Sequence, residues 1–69
     1  MVEWGNMKFP VGTLVRFNQD YFEDSPELLS YIGTVVPPTN PQKTLRIMWE
    51  NGGIEEYGEK FEFYFEVIS

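Results

Sequence analysis

The side chains that most often do chemistry in proteins are missing from this sequence: it holds no His and no Cys. A nucleophile would have to be one of Ser25, Ser30, Ser69, Thr13, Thr34, Thr39 or Thr44, and no spacing sets a base beside any of them. Lys60, flanked by Glu59 and Glu62, reads as a solvated surface charge. Without imidazole or thiolate ligands a structural zinc site is excluded, and the core is too thin to enclose a cofactor. The expectation is a non-catalytic protein with no metal and no cofactor.

What remains are carboxylates and aromatic rings. Eleven Asp and Glu stand against five Lys and Arg, a net charge of −6 with a sequence pI near 4.3. A field of that sign opposes direct contact with a phosphate backbone and favours a basic partner. The acids fall into two blocks, Asp20, Glu23, Asp24 and Glu27, then Glu50, Glu55, Glu56, Glu59, Glu62 and Glu66. Tyr21 and Phe22 near the first block, with Trp49 and Tyr57 near the second, can gather at one rim and hold a cation against their ring faces. Trp49 and Phe22 also read as core, and for Trp49 that reading is the favoured one. The residues expected to meet a partner are therefore Asp20, Tyr21, Glu23, Asp24, Glu55, Tyr57, Glu62, Tyr64 and Glu66, with the carboxylates steering a basic protein or peptide and the tyrosines supplying contact area.

The elements that position these residues follow from period and punctuation. Leu45, Ile47 and Trp49 alternate with Arg46 and Met48, a strand with three large apolar side chains on one face. Asn51-Gly52 then turns the chain, with positive φ expected at both residues, and Ile54 to Tyr57 is the return strand. Phe9 to Phe17 reads as a first strand entered through Pro10. Asn18 to Ser30 is a long loop in which Asp24 or Ser25 caps one helical turn begun by Pro26. Tyr31 to Val36 is a second strand, bent or bulged at Gly33 and stopped by Pro37-Pro38 and Pro41.

The last element has two periods. Ile54, Tyr57, Phe61, Phe65 and Ile68 fit a helix, whereas Phe61, Phe63, Phe65 and Val67 alternate with Glu62, Tyr64 and Glu66 as a strand. Aromatic and β-branched content favours the strand, Phe61 to Ile68. That choice puts Glu62, Tyr64 and Glu66 on one side at steps of about 6.6–6.8 Å, close to the phosphate repeat of a nucleic-acid strand. An alternative function follows from it, a small acidic inhibitor of the kind some phages make, which imitates nucleic acid and blocks a protein that binds it.

Sixty-nine residues make one domain near the lower size limit. Residues 1–8 read as a leader that packs on the domain or is disordered, with Trp4 folded back over an open end and Met7 as a possible alternative start; residues 9–69 form the domain. Val15, Val35, Leu45, Ile47, Phe63, Phe65 and Val67 are the expected core. Apolar runs of two or three residues rule out a helical membrane span and no signal segment leads the chain, so a soluble cytoplasmic protein is expected.

Three stretches carry a family resemblance: Val11-Gly12-Thr13-Leu14-Val15-Arg16, Gly33-Thr34-Val35-Val36 and Leu45 through Gly52. Their rhythm is similar to that of mind-bomb-type, Tudor-like and ribosomal-type small barrels, and it spans about residues 11 to 68. The resemblance implies an all-β fold, a five-stranded antiparallel, partly open barrel like the Src-homology-3 domain, with one short helical turn in the first long loop. Asp20-Tyr21 with its acidic followers, and Tyr64 to Ile68, also resemble the first loop and closing strand of peptide-binding Src-homology-3 domains. Here, however, Trp49 ends its strand and residues 58–63 contain no Pro, so proline-rich peptides are not implied.

Overall fold

The computed structural model describes residues 8–68. Five strands form one antiparallel sheet, β1 (Leu14–Phe17), β2 (Gly33–Val36), β3 (Leu45–Trp49), β4 (Ile54–Tyr57) and β5 (Phe65–Val67), in the order β4-β3-β2-β1-β5. The fold is all-β-rich and the sheet is open, with a few short helical pieces. Two of these, α1 (Gln19–Phe22) and α2 (Pro26–Leu29), lie in the first long loop, and a 3-10 turn at Glu59–Tyr64 precedes β5. No helix among the described residues is long and apolar enough to cross a membrane. The expected leader, residues 1–8 with Trp4 folded back and Met7 as a start, falls almost entirely outside the described residues.

The alternation in β3 does what its spacing dictates. Leu45, Ile47 and Trp49 are buried while Arg46 and Met48 face away, and they join Phe9, Val15, Val35 and Phe65 in a single core. Trp49 is thus core, stacked on Phe17 at 5.1 Å between ring centroids and 5° between planes. The hairpin after it differs from the expected geometry in one respect. Gly52 has φ 95°, but Asn51 stays at negative φ. Gly52 N donates to Trp49 O, Trp49 N to Gly53 O, and the Asn51 carboxamide accepts from Gly53 N. Those bonds make a three-residue loop closed by a left-handed glycine, the other common hairpin connection.

Gly33 is not a bulge. It pairs directly with Val15 on one side and with Trp49 on the other, and it is glycine because of what lies above it. A Cβ there would overlap Ile47 Cγ2 and reach 2.9 Å from Trp49 Cε3. The missing side chain is the space into which Trp49 settles.

The strands expected at Phe9 to Phe17 and Tyr31 to Val36 are shorter, beginning at Leu14 and Gly33. Pro26 does open a helical turn after Ser25, although the Ser25 side chain makes no capping bond. The larger correction concerns Phe61 to Ile68. Only Phe65–Val67 is strand, and Glu59–Tyr64 winds as a 3-10 turn. In that geometry residues three apart share a side, so Glu62 and Phe65 turn inward together while Phe61 and Phe63 turn out. Phe63, expected in the core, is 47% exposed, and Val67 is 41% exposed because β5 is an edge strand with no neighbour beyond it. Phe9 and Trp49 fill the core in their place.

Candidate functional site

The first loop and the 3-10 turn are joined through Asn18. Its backbone N donates to Tyr64 O at 2.7 Å, and its side-chain amide donates to Phe63 O at 3.3 Å. Its side-chain oxygen accepts from Asp20 N at 2.9 Å, and its carbonyl accepts from Tyr21 N and Phe22 N. Asn18 therefore caps α1 and holds that helix against the turn. Two aromatic-rich segments 40 residues apart are brought side by side.

The rings they carry interlock. Tyr21 meets Phe63 at 5.1 Å, Phe22 meets Tyr64 at 5.6 Å, and Phe22 also stands edge-on to Phe17 at 5.2 Å. Tyr57 packs on Phe65 at 4.6 Å. Three concavities border these rings. The broadest, about 1020 Å³, includes Asp20, Tyr21, Glu59, Lys60 and Phe63 in its lining. The second, about 340 Å³, is mostly aromatic, with Phe17, Phe22, Tyr57, Phe61, Tyr64 and Phe65 and with Lys43 and Glu56 beside them. The third, about 190 Å³, has Phe17, Leu28, Tyr31, Trp49, Asn51 and Glu55. Phe65 is common to the first two and Phe17 to the last two, so the three follow one another as an irregular groove.

The expected partner-facing residues divide three ways. Asp20 and Tyr21 line the first concavity, Tyr57 and Tyr64 the second, and Glu55 the third. Glu23 and Asp24 are exposed but line none of these hollows. Glu66 is half-buried and engaged within the chain, pairing with Arg16 Nε at 2.9 Å and accepting from Gln19 N at 3.4 Å. Glu62 is a correction. It is 6% exposed and accepts a hydrogen bond from Thr44 Oγ1, because the three-residue period of the turn rotates it inward. The expected array of Glu62, Tyr64 and Glu66 along one strand is absent, since a 3-10 turn has neither the rise nor the alternation of a strand.

The electrostatics of the groove are uneven. Burial pushes the Tyr57 hydroxyl up to about 12, and the neighbouring Glu55 carboxylate adds to the rise. Tyr57 is thus a neutral hydroxyl throughout the ordinary pH range, able to donate or accept. Glu56 is occupied by Arg46 Nε at 3.4 Å and by the Thr39 hydroxyl at 3.2 Å. Exposed Asp20, Glu55 and Glu59 are left as the carboxylates along the groove.

Asn18, Phe61 and Phe63 were not singled out as site residues by sequence reasoning. Asn before a short polar-aromatic run is a capping signal, and it identifies Asn18 once α1 is suspected. Phe61 and Phe63 become visible only when the period is three instead of two. Compared with protein-family models, with curated proteins and with solved structures, the chain matches none.

Proposed function

We propose that this domain is a non-catalytic protein-interaction module that takes a basic protein or peptide along the aromatic groove. The observation that carries the reading is the outward cluster of Tyr21, Phe61 and Phe63, which are 58%, 38% and 47% exposed on a chain that has few large side chains to spare for its core. Aromatic side chains left together at a surface, with acidic neighbours and hollows between them, suit an apolar anchor from a partner with Lys or Arg on either side of it. Burying about 100 Å² of such an anchor contributes about 2.5 kcal/mol. Each exposed ion pair adds roughly 0.2–1 kcal/mol.

A Src-homology-3-like, partly open barrel is the finer fold reading. The strand order β4-β3-β2-β1-β5 and the 3-10 turn before the last strand support it. Action in the cytoplasm belongs to the same proposal and rests on the absence of Cys. Mimicry of nucleic acid rests now on net charge alone, because the strand array that would imitate a phosphate backbone is not formed.

The test is capture from lysate at 50 and 500 mM salt, with and without added DNA, using the native chain and the Tyr21→Ala/Phe63→Ala variant. Both side chains are exposed, so the variant should fold, which far-ultraviolet circular dichroism checks. Partners that bind the native chain, weaken with salt, ignore DNA and are lost with the variant support the groove. Competition by DNA at undiminished variant binding would transfer the function to mimicry.

A further inference from the structure

The hairpin between β3 and β4 turns through Asn51-Gly52, and that pair has a chemistry of its own. The backbone nitrogen after an Asn can attack the Asn side-chain amide carbon and close a five-membered imide. Of the four Asn in the chain, Asn6 precedes Met7, Asn18 precedes Gln19 and Asn40 precedes Pro41. Pro41 has no N–H to lose, and the side chains of Met7 and Gln19 crowd the approach. Gly52 has neither obstacle. Asn51, Gly52 and Gly53 are all exposed, and the place where a Cβ would stand on Gly52 is clear of other atoms to 4 Å, so water reaches the reacting atoms.

Two hydrogen bonds of the loop act on the reaction in opposite senses. Gly53 N donates to Asn51 Oδ1 at 2.9 Å, the oxygen on which negative charge gathers when the amide carbon is attacked, and a donor there eases the attack. Gly52 N, the attacking atom, donates to Trp49 O at 2.8 Å, which holds its proton in place. We infer that Asn51 is a self-modifying position, deamidated by Gly52 N whenever the Gly52–Trp49 hydrogen bond opens. Gly52 N loses its proton to hydroxide and bonds to Asn51 Cγ; the Cγ–Nδ2 bond breaks, and ammonia leaves with a proton from water. Water then opens the imide at either carbonyl, giving an aspartyl or an isoaspartyl linkage. The net reaction consumes one water, releases one ammonia, and oxidises nothing.

The products differ in their effect on the fold. The aspartyl chain keeps an acceptor for Gly53 N and adds one negative charge to a net charge of −6. Because Asn51 lines the third hollow with Trp49 and Glu55, a basic partner would meet a second carboxylate there; that consequence rests on the proposed groove, whereas the conversion itself does not. The isoaspartyl chain has one more methylene in its backbone between Trp49 and Gly53, whose bond from Trp49 N to Gly53 O at 2.7 Å closes the loop. Trp49 is core, so this linkage loosens the hairpin.

The test holds the native chain at 37 °C and pH 8.5, folded in buffer and unfolded in 6 M guanidinium chloride. Tandem mass spectrometry locates the change, and labelling by an isoaspartyl methyltransferase counts the isoaspartyl linkage. Asn51 should convert in both conditions and before any other Asn. The folded chain should be slower by roughly 2- to 12-fold, the equilibrium cost of opening one backbone hydrogen bond. Asn51→Gln should show no change at this position over the same time. Asn51→Asp should keep the native urea midpoint, and the isoaspartyl chain, separated by ion exchange and refolded, should have a lower one. A folded chain still intact after a hundred times the unfolded conversion time, equal rates folded and unfolded, earlier conversion at another Asn, or an isoaspartyl chain as stable as the native one would each overturn the inference.

Discussion

Replacing Gly33 by Ala adds one methyl group to the tightest point of the core. The new Cβ would overlap Ile47 Cγ2 and stand 2.9 and 3.2 Å from Trp49 Cε3 and Cζ3. None of these atoms is the free end of a flexible chain. Ile47 is fully buried, and Trp49 is 6% exposed and stacked on Phe17. Both belong to β3, which is in register with β2 at this same residue, so relief requires the two strands to separate or the indole to tilt. Overpacking of this kind costs about 3–4 kcal/mol, above the usual 1–3 because two stiff neighbours are struck at once. The lower entropy of Ala in the unfolded chain offsets about 1 kcal/mol. The net loss is about 2–3 kcal/mol, against the roughly 3–5 kcal/mol that a chain of this size holds in all. With a urea slope of about 1 kcal/mol per molar, the midpoint should fall by about 2–3 M. Near-ultraviolet circular dichroism, which senses Trp49, is the assay. Gly53→Ala is the control, since its added methyl would meet only the exposed Asn51 carboxamide. A Gly33→Ala midpoint within about 0.5 M of the native value would refute the packing argument.

Asn18→Ala removes the α1 cap and the amide bond to Phe63 O, and should cost about 1–2 kcal/mol; amide exchange should quicken at Tyr21 and Phe22 more than in β3. Glu62→Lys should destabilise by at least about 1–3 kcal/mol because it forces a cation into a buried position and deprives Thr44 of its acceptor. Glu66→Lys, which breaks a half-exposed pair with Arg16, should cost only about 0–1 kcal/mol in the same urea titration. The hydroxyl of Tyr57, pushed up to about 12, gives a sign for alkaline unfolding. Its neutral form is favoured by folding, so its contribution is whole below the unfolded value near 10 and is lost as pH rises from about 10 through 12. Absorbance at 295 nm should show one late tyrosine that vanishes in Tyr57→Phe, and that variant should lose less stability over the same window.

Local pattern was enough for the middle of the chain. In β3 every second residue is large and apolar, so a strand with Leu45, Ile47 and Trp49 facing one way is the only arrangement that buries all three, and Gly52 and Gly53 are the residues there free to take positive φ without penalty; Gly52 takes it. The stop at Pro37 and the helical turn at Pro26 are likewise properties of proline itself, independent of anything distant. Absence of His and Cys limited the chemistry before any fold was considered.

The tertiary structure decided the last element and, with it, the site. Between Phe61 and Phe65 two periods fit the same residues, and the choice was made by contacts from elsewhere in the chain: Asn18, 45 residues before Phe63, donating to Phe63 O and Tyr64 O, and Thr44, 18 residues before Glu62, donating its hydroxyl hydrogen to the Glu62 carboxylate. Those long-range bonds reward a turn of period three, which carries Glu62 in and Phe61 and Phe63 out. Gly33 was visible as an unusual residue in a strand, but whether it bends the chain or makes room depended on which side chain lay across from it. That side chain, Trp49, belongs to another strand, and only strand pairing sets it there.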